Sequence, residues 1–471
     1  MTVSATLVQV PGLSAEHQDA LTGLLLQLAA KASRNRLRRR YYEHKTVLRD
    51  LGIAIPPQLR TVETVLGWPA KAVDSMSRRV ILDGFTADVG DVDSLGLADL
   101  WAANRMESEV PQAHTSALIH ATSFGFVLAG DVGAGEPEAL LMARSAEWAT
   151  GVWDRRRRAL SSALSIVSVD DFGMPDHMIL YVPNLAIVMR RDEYGRWDIR
   201  QSAHDLGVPV EPLPYKAGLD RPFGASRISR PVMALTDSAV RILLRTEIGA
   251  EFYNAPQRYA LNVAEDAFTR TDGTAATGWE IMLGRMLVME QNDDGTDIKV
   301  GQFQQQSMEP NVSHFRMTAQ TFASETSLPL RALGVVGDNP ESADAISQAE
   351  KELDLEIDYW ESASLGPAWK RLVTLMLRIV DDSPAALDAY RSLRPRWRDQ
   401  ETSSAAAKAD AFTKSASMIT GLAETEVGLE MAGMNPDQIA RFMAERARAQ
   451  GRQTLASILA GGGVTADVVN N

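Results

Sequence analysis

The side chains able to do chemistry are scattered along this chain rather than gathered. Seven histidines stand at positions 17, 44, 114, 120, 177, 204 and 314, with no His-Glu-x-x-His spacing that would put two imidazoles on one helix face. Asp170-Asp171 and Asp293-Asp294 fall at turn signals, where carboxylates are ordinary. Asp176-His177 holds two members of a catalytic dyad, but no Gly-x-Ser-x-Gly elbow accompanies it. Gly130-Asp-Val-Gly133-Ala-Gly135 has the glycines of a phosphate loop without the Gly-Lys-Ser/Thr ending, so it reads as a turn and not as a nucleotide site. Cysteine is absent, which removes disulfides, thiolate zinc sites, iron–sulfur clusters and cysteine nucleophiles. The reading is a non-enzyme: no catalytic residue, no metal ligand set, no cofactor.

Two basic runs, Arg34-Asn-Arg-Leu-Arg-Arg-Arg40 and Arg155-Arg-Arg-Arg158, could be a nucleic-acid patch, or a solvated face that pairs with acids on a neighbouring chain; the second reading is preferred. The 48 basic against 61 acidic side chains leave a net charge of −13, which disfavours a general clamp on nucleic acid. At about 150 residues per domain, 471 residues suggest roughly three structural units. The start lacks a basic-then-apolar leader, and the longest apolar patch, near Leu21 to Ala30, is too short to span a bilayer, so the expectation is synthesis in the cytoplasm.

The elements that must position these residues are mainly helical. Helices are predicted over 13–51, capped by Ser14, over 62–80 and over 95–123. Phe126 to Ala129, Ser165 to Val169, Met178 to Val182, Ala186 to Arg190 and Trp197 to Arg200 read as strands punctuated by hairpin turns. Prolines 209, 212, 214 and 222 make 207–231 an extended connector, and a helix follows from Val232 to Asn254. Residues 257–307 read as a small α/β insert with a hairpin turn at Asn292-Asp-Asp-Gly295. The next helix, Glu309 to Thr326, groups Val312, Phe315, Ala319 and Phe322 on one side and Ser313, Arg316, Gln320 and Ser324 on the other. Asn339-Pro340-Glu341 then starts a helix to Val380 that Gly366-Pro367 should kink or break. From Thr402 the chain is helical, with Asn435-Pro436-Asp437 opening its last helix and a frayed tail after Gly461.

Three stretches together resemble the portal proteins, or head-to-tail connectors, of long-tailed bacteriophages. They are Tyr41-Tyr42-Glu-His-Lys with Leu51 to Arg60, Gly67-Trp68-Pro69, Ala72-Val-Asp74 and Asp83-Gly-Phe85; the helix, insert, helix order of 232–326; and Pro329-Leu-Arg-Ala-Leu-Gly-Val-Val-Gly-Asp-Asn-Pro-Glu-Ser-Ala-Asp-Ala-Ile346. The resemblance reaches to about residue 400.

It implies an α+β, mainly helical subunit assembling into a ring, with a wing over 1–230, a stem helix over 231–254, a clip over 255–308 and a second stem helix over 309–328. A tunnel loop over 329–339, a long kinked wing helix and return over 340–400, and a crown with the C-terminal tail over 401–471 complete it. The ring, of twelve copies, would stand at one capsid vertex, and double-stranded DNA would pass through it during packaging and ejection. Implied partners are the terminase packaging motor, a head-completion adaptor, and the major capsid and scaffold proteins, with no membrane. The place is the virion, and the host cytoplasm during assembly. Carried onto this chain, the tunnel loop is Leu330, Arg331, Val335, Val336, Gly337, Asp338 and Asn339. The stem's channel face is Ser313, Arg316, Gln320 and Ser324, and the motor side of the clip is Asp293, Asp294 and Gly295. The competing readings are another virion assembly protein and a metal-dependent hydrolase in which the scattered Asp and His converge.

Overall fold

The computed structural model describes residues 8–46, 64–87, 95–254, 258–261, 299–302, 307–335, 343–399 and 405–461. These fall into two units, 1–398 and 399–471. In the first, Ser14 caps helix α1 (Ala15–Tyr42) by accepting from the His17 amide. Helices α2 (Trp68–Ser77), α3 (Leu97–Ala103) and α4 (Met106–His120) follow, with strand β1 (Leu82–Ala87) between α2 and α3. The helix predicted over 95–123 is thus two helices: Arg105 takes a positive φ of 54° and ends the first.

Antiparallel strands come next. A three-stranded sheet has the order β3 (Ala139–Ser145), β2 (Thr122–Ala129), β9 (Val210–Pro214), and a five-stranded meander runs β4 (Ala149–Asp154), β5 (Ala159–Val169), β6 (Pro175–Val182), β7 (Leu185–Arg191), β8 (Trp197–Ala203). Pro212 and Pro214 sit inside β9, which the extended-connector reading missed; β9 is an edge strand, where a missing N–H costs no ladder bond. The meander's inner strands are buried on both faces. Leu164, Ile166, Met178, Leu180, Ile187 and Met189 meet Leu21, Leu24, Leu25 and Leu28 of α1 on one side. The alternate residues Ala163, Ile179, Tyr181 and Ala186 meet Phe124, Phe126 and Val210 on the other. That double burial accounts for the unbroken apolar stretches Met178 to Val182 and Ala186 to Met189.

Helix α5 (Arg230–Asn254) leads to strand β10 (Arg258–Leu261), which pairs antiparallel with β11 (Lys299–Gln302), and helix α6 (Glu309–Thr326) packs against α5. A 3₁₀ turn (Leu330–Leu333), helix α7 (Ala343–Trp360), a π-helical turn (Glu361–Leu365) and helix α8 (Gly366–Val380) follow. Of the kink or break expected at Gly366-Pro367, the structure shows an interruption of the α-helical spacing without a loss of helix. The Gly366 amide donates to the Glu361 carbonyl, an i→i−5 bond, so the missing Pro367 donor is absorbed by a widened turn. The chain then closes through α9 (Pro384–Ser392) and β12 (Leu393–Trp397), which pairs with β1.

The main core gathers α2, α4, α6, α7 and α8 around Trp360 and Trp369. His114 sits between those tryptophans: its Nδ1 is 3.4 Å from the Val80 carbonyl, and its Nε2 accepts from Trp369 Nε1 at 2.9 Å. Burial holds that imidazole neutral, pushing it down to about 4. A Cβ on Gly125 would approach Leu372 Cδ1 to 2.4 Å, so glycine lets α8 lie close against β2.

The second unit holds α10 (Ala405–Met418), α11 (Glu426–Met431) and α12 (Pro436–Gly461). Asn435 and Gln438 exchange side-chain and backbone bonds at 2.9 and 3.0 Å, the reciprocal cap that starts α12 where the sequence signalled it. The α+β, mainly helical class holds throughout.

Candidate functional site

Helix α6 uses its two faces differently. Thr318, Ala319, Phe322, Ala323 and Thr326 are buried, while Ser313, Arg316, Gln320 and Ser324 all lie on the exposed side at spacings of three and four. Val312, grouped with the packed side from the sequence, is 40 % exposed; Thr318 takes part in the packed side instead, its hydroxyl bonded to the His314 carbonyl at 2.8 Å. Hydroxyl, amide and guanidinium groups on that stripe can exchange brief hydrogen bonds with a polyanion.

What holds the stripe in place is the packed side. The Trp68 ring lies 5.4 Å from Phe315 and 5.0 Å from Phe322, one α6 heptad apart. The Tyr41 hydroxyl donates to Asp237 Oδ2 on α5 at 2.8 Å, and Tyr42 donates to Asp74 Oδ1 on α2 at 3.0 Å. Burial, then the bond to Asp74, pushes the Tyr42 phenol up to about 12, so it remains a donor. Tyr41, Tyr42, Trp68 and Asp74 are therefore the grips by which the first helices hold the α5–α6 pair.

The C-terminal end of α6 is fixed by a buried arginine that the sequence gave no reason to single out. Arg227 Nη2 donates to the Thr326 carbonyl at 2.6 Å, Nε to the Ala72 carbonyl at 2.6 Å, and Nη1 to Tyr215 Oη and Glu356 Oε2, both at 2.9 Å. One guanidinium thus ties α2, the end of α6 and α7 together, with its charge placed where α6 has its negative pole. Burial alone would raise the Glu356 carboxyl, but Arg227 and bonds from Lys216 and Tyr215 outweigh it and hold it down to about 2. Glu356 was discoverable from sequence. It interrupts the apolar stripe Leu353, Ile357, Trp360, and a charge on a buried helix face needs a partner. Arg227, in a polar connector, carried no such signal.

After α6, Ser327 takes φ 52° and Leu328 N–H reaches back to the Ala323 carbonyl at 3.0 Å, closing the helix. The 3₁₀ turn that follows ends on Gly334 at φ 79°. Leu330 is half-buried, and Arg331 pairs with Glu350 of α7, which also meets Arg79 at 3.4 Å, while Arg79 bonds Asp354 at 2.7 Å. Val335 is half-buried; Val336, Gly337, Asp338 and Asn339 lie outside the described residues, as do Asp293, Asp294 and Gly295.

The two basic runs have separate surroundings. Arg155 to Arg158 form the exposed β4–β5 turn, with Asp154 Oδ1 accepting the Arg156 amide at 2.8 Å. In the first run, Arg39 pairs with Glu43 at 2.8 Å and Glu147 at 3.0 Å of its own chain. Among the described residues no three His, Asp or Glu side chains converge as a metal site, and no helix is long and apolar enough to cross a membrane.

Comparison with known proteins bears on this geometry. Residues 26–452 match the family described as "Phage portal protein, SPP1 Gp6-like". The chain is 28% identical over 380 residues to the portal proteins of Mycobacterium phage D29 and Mycobacterium phage L5, covering 79% of this chain and 77% of each relative. Among solved structures, it is similar to a chain in the neck of a native gene transfer agent particle computed with C12 symmetry. There the TM-score is 0.37 and the identity 13%, over 78% of this chain and 90% of that one. A TM-score that low carries no argument about assembly.

Proposed function

The chain belongs to the SPP1 Gp6-like family of phage portal proteins, and on that premise we propose how its parts serve a DNA conduit. Copies close into a ring, twelve by the family's habit, at one capsid vertex. The stripe Ser313, Arg316, Gln320 and Ser324 of α6 turns toward the axis, and double-stranded DNA passes along it. The observation that carries this reading is that stripe: four exposed polar side chains on a helix whose opposite face is locked to α2, α5 and α7.

A conduit must not hold its cargo. Each neutralised phosphate adds salt-dependent affinity, so a wall of cations repeated around a ring would trap the duplex. Twelve chains of −13 each carry −156 in total, which repels the backbone within about a Debye length, ~10 Å, and leaves a hydrated gap. The protein performs no catalysis in this reading; a separate terminase motor supplies the work. Residues 255–308, Asp293, Asp294 and Gly295 among them, receive that motor and later the head-completion adaptor. Leu330, Arg331, Val335, Val336, Gly337, Asp338 and Asn339 form the tunnel loop, and major capsid and scaffold proteins surround the wing. The subunit is made in the host cytoplasm before it joins the virion.

Negative-stain images and light scattering of the purified chain test the ring directly. Particles of many hundreds of kilodaltons with a central hole are expected, and a persistent monomer would overturn it. A charge swap at Arg331 or Asp338 that left packaging unchanged would remove their contact with DNA. Deleting 293–295 without loss of motor binding would do the same for the clip tip.

A further inference from the structure

We propose that the cavity between α1 and the 220–225 loop binds a small phosphate-bearing anion. Lys31, Arg34 and Arg38 recur at i, i+3 and i+7 along α1 and line one wall of a cavity of about 450 Å³, and Arg221 lines the facing wall. Asp220 is the one carboxylate at its edge, and among the described residues none of the four cations makes an ion pair. The contrast with Arg39 one residue on, which meets two glutamates, shows that this helix pairs its charges where partners exist.

The four cations crowd one another. Burial, then repulsion from Arg34, pushes the Lys31 amine down to about 8 and the Arg38 guanidinium down to about 10. The Lys31 ammonium rests 5.2 Å over the Phe223 ring, its nearest compensation. One further lining residue is built into the wall and incompletely used: His120 is 5 % exposed, and its Nδ1 has no hydrogen-bond partner. Burial, then Arg38 and Arg39, pushes His120 down to about 3, so its ring is neutral and carries one N–H to give. Three guanidinium forks and an amine suit the several oxygens of a tetrahedral oxyanion better than a single carboxylate.

Depth selects the size of the ligand. Arg34 and Arg221 are exposed, but Lys31 and Arg38 are half-buried, so a rigid duplex reaches only the outer pair while a small anion reaches all four. The volume admits free phosphate or a mononucleotide led by its phosphate.

Isothermal calorimetry on the full chain, with inorganic phosphate and with dAMP as separate titrants at matched ionic strength, tests this. Phosphate should bind with a millimolar or tighter dissociation constant, weakened at least tenfold in K31M/R38M and several-fold in R34M/R221M. Equal affinity for the two titrants assigns the site to free phosphate, and tighter dAMP binding assigns it to a nucleotide. Should K31M/R38M fail to fold, the exposed pair R34M/R221M and the ³¹P resonance of phosphate added to wild-type protein carry the test. No heat and an unmoved ³¹P line, or affinity unchanged in the variants, overturns the proposal.

Discussion

Replacing Arg227 with methionine should do more than remove one charge. The substitution fills most of the same volume but deletes four hydrogen bonds of 2.6–2.9 Å and leaves the Glu356 side chain, 16% exposed, with Lys216 as its remaining cation. Breaking a buried pair from one side costs about 3–5 kcal/mol, because a charge stays behind without its partner. Local opening at the end of α6 should therefore become roughly 10²–10⁴ times more frequent, read by hydrogen exchange at Leu328 and at the Gly334 amide. R227K, which keeps the charge but cannot reach three elements at once, should fall between.

A pH signature separates loss of the pair from loss of packing. In the wild type the Glu356 carboxyl titrates near 2 against an unfolded value near 4.5, so its contribution is complete above about 4.5 and is lost as pH falls through 2. Linkage sets that contribution at about 3 kcal/mol at most, less the share that solvent at its partly open edge screens. Without Arg227, Lys216 and Tyr215 still hold the carboxyl but burial opposes them with less resistance, so it should rise from about 2 toward 4.5 and the acid-dependent loss should shrink. Urea midpoints from pH 3 to 7 would show the shallower slope. An R227M protein with wild-type exchange at Leu328 and the wild-type acid slope would refute the argument.

Other outcomes follow from single features. S327G should stabilise the protein by about 1 kcal/mol, since Ser327 sits at φ 52° without glycine's freedom; a lowered thermal midpoint would contradict this. G334A should cost about 1 kcal/mol for the converse reason, with no atom within 4 Å of the new methyl to add a clash. His114 is held near 4 against an ordinary 6.5, so its share of stability is complete above 6.5 and disappears as pH falls through 4, about 3 kcal/mol in all. Subtracting the profile of H114Q from that of the wild type should leave a slope confined to that window. Q320K/S324K would put two added cations per subunit on the proposed channel wall, and packaging in low salt should slow, with recovery as salt is raised.

How far the sequence spoke depended on whether an element's signal was local. Helix α6 starts and ends at Glu309 and Thr326 as its periodicity indicated, and α12 begins behind its Asn435 cap. The helix read to residue 51 ends instead at Tyr42, where Glu43 forms the C-cap. Strands β1 and β12 went unread because each is stabilised by a partner more than 300 residues away, and neither has a patterned face of its own. At the site the same division applies. The exposed stripe of α6 was legible, because helical period alone determines which residues share a side. The anchor beneath it was not, because Arg227 gains its meaning from three carbonyl and carboxylate groups brought together only by folding. Arg331, expected to point at cargo, is also held by Glu350, a pairing that a separation of 19 positions conceals.

The widened turn at Glu361–Leu365 makes the protein's length count in an unusual way. Deleting one of those five residues would return the spiral to α-helical spacing, apart from the donor that Pro367 lacks. Everything downstream would then rotate by about 100°. Trp369, Leu372 and Met376 would swing out of the core and the solvent side of α8 would swing in. At this place a lesion that merely evens out the helical spacing ruins the molecule, so the number of residues here is guarded as strictly as their kind.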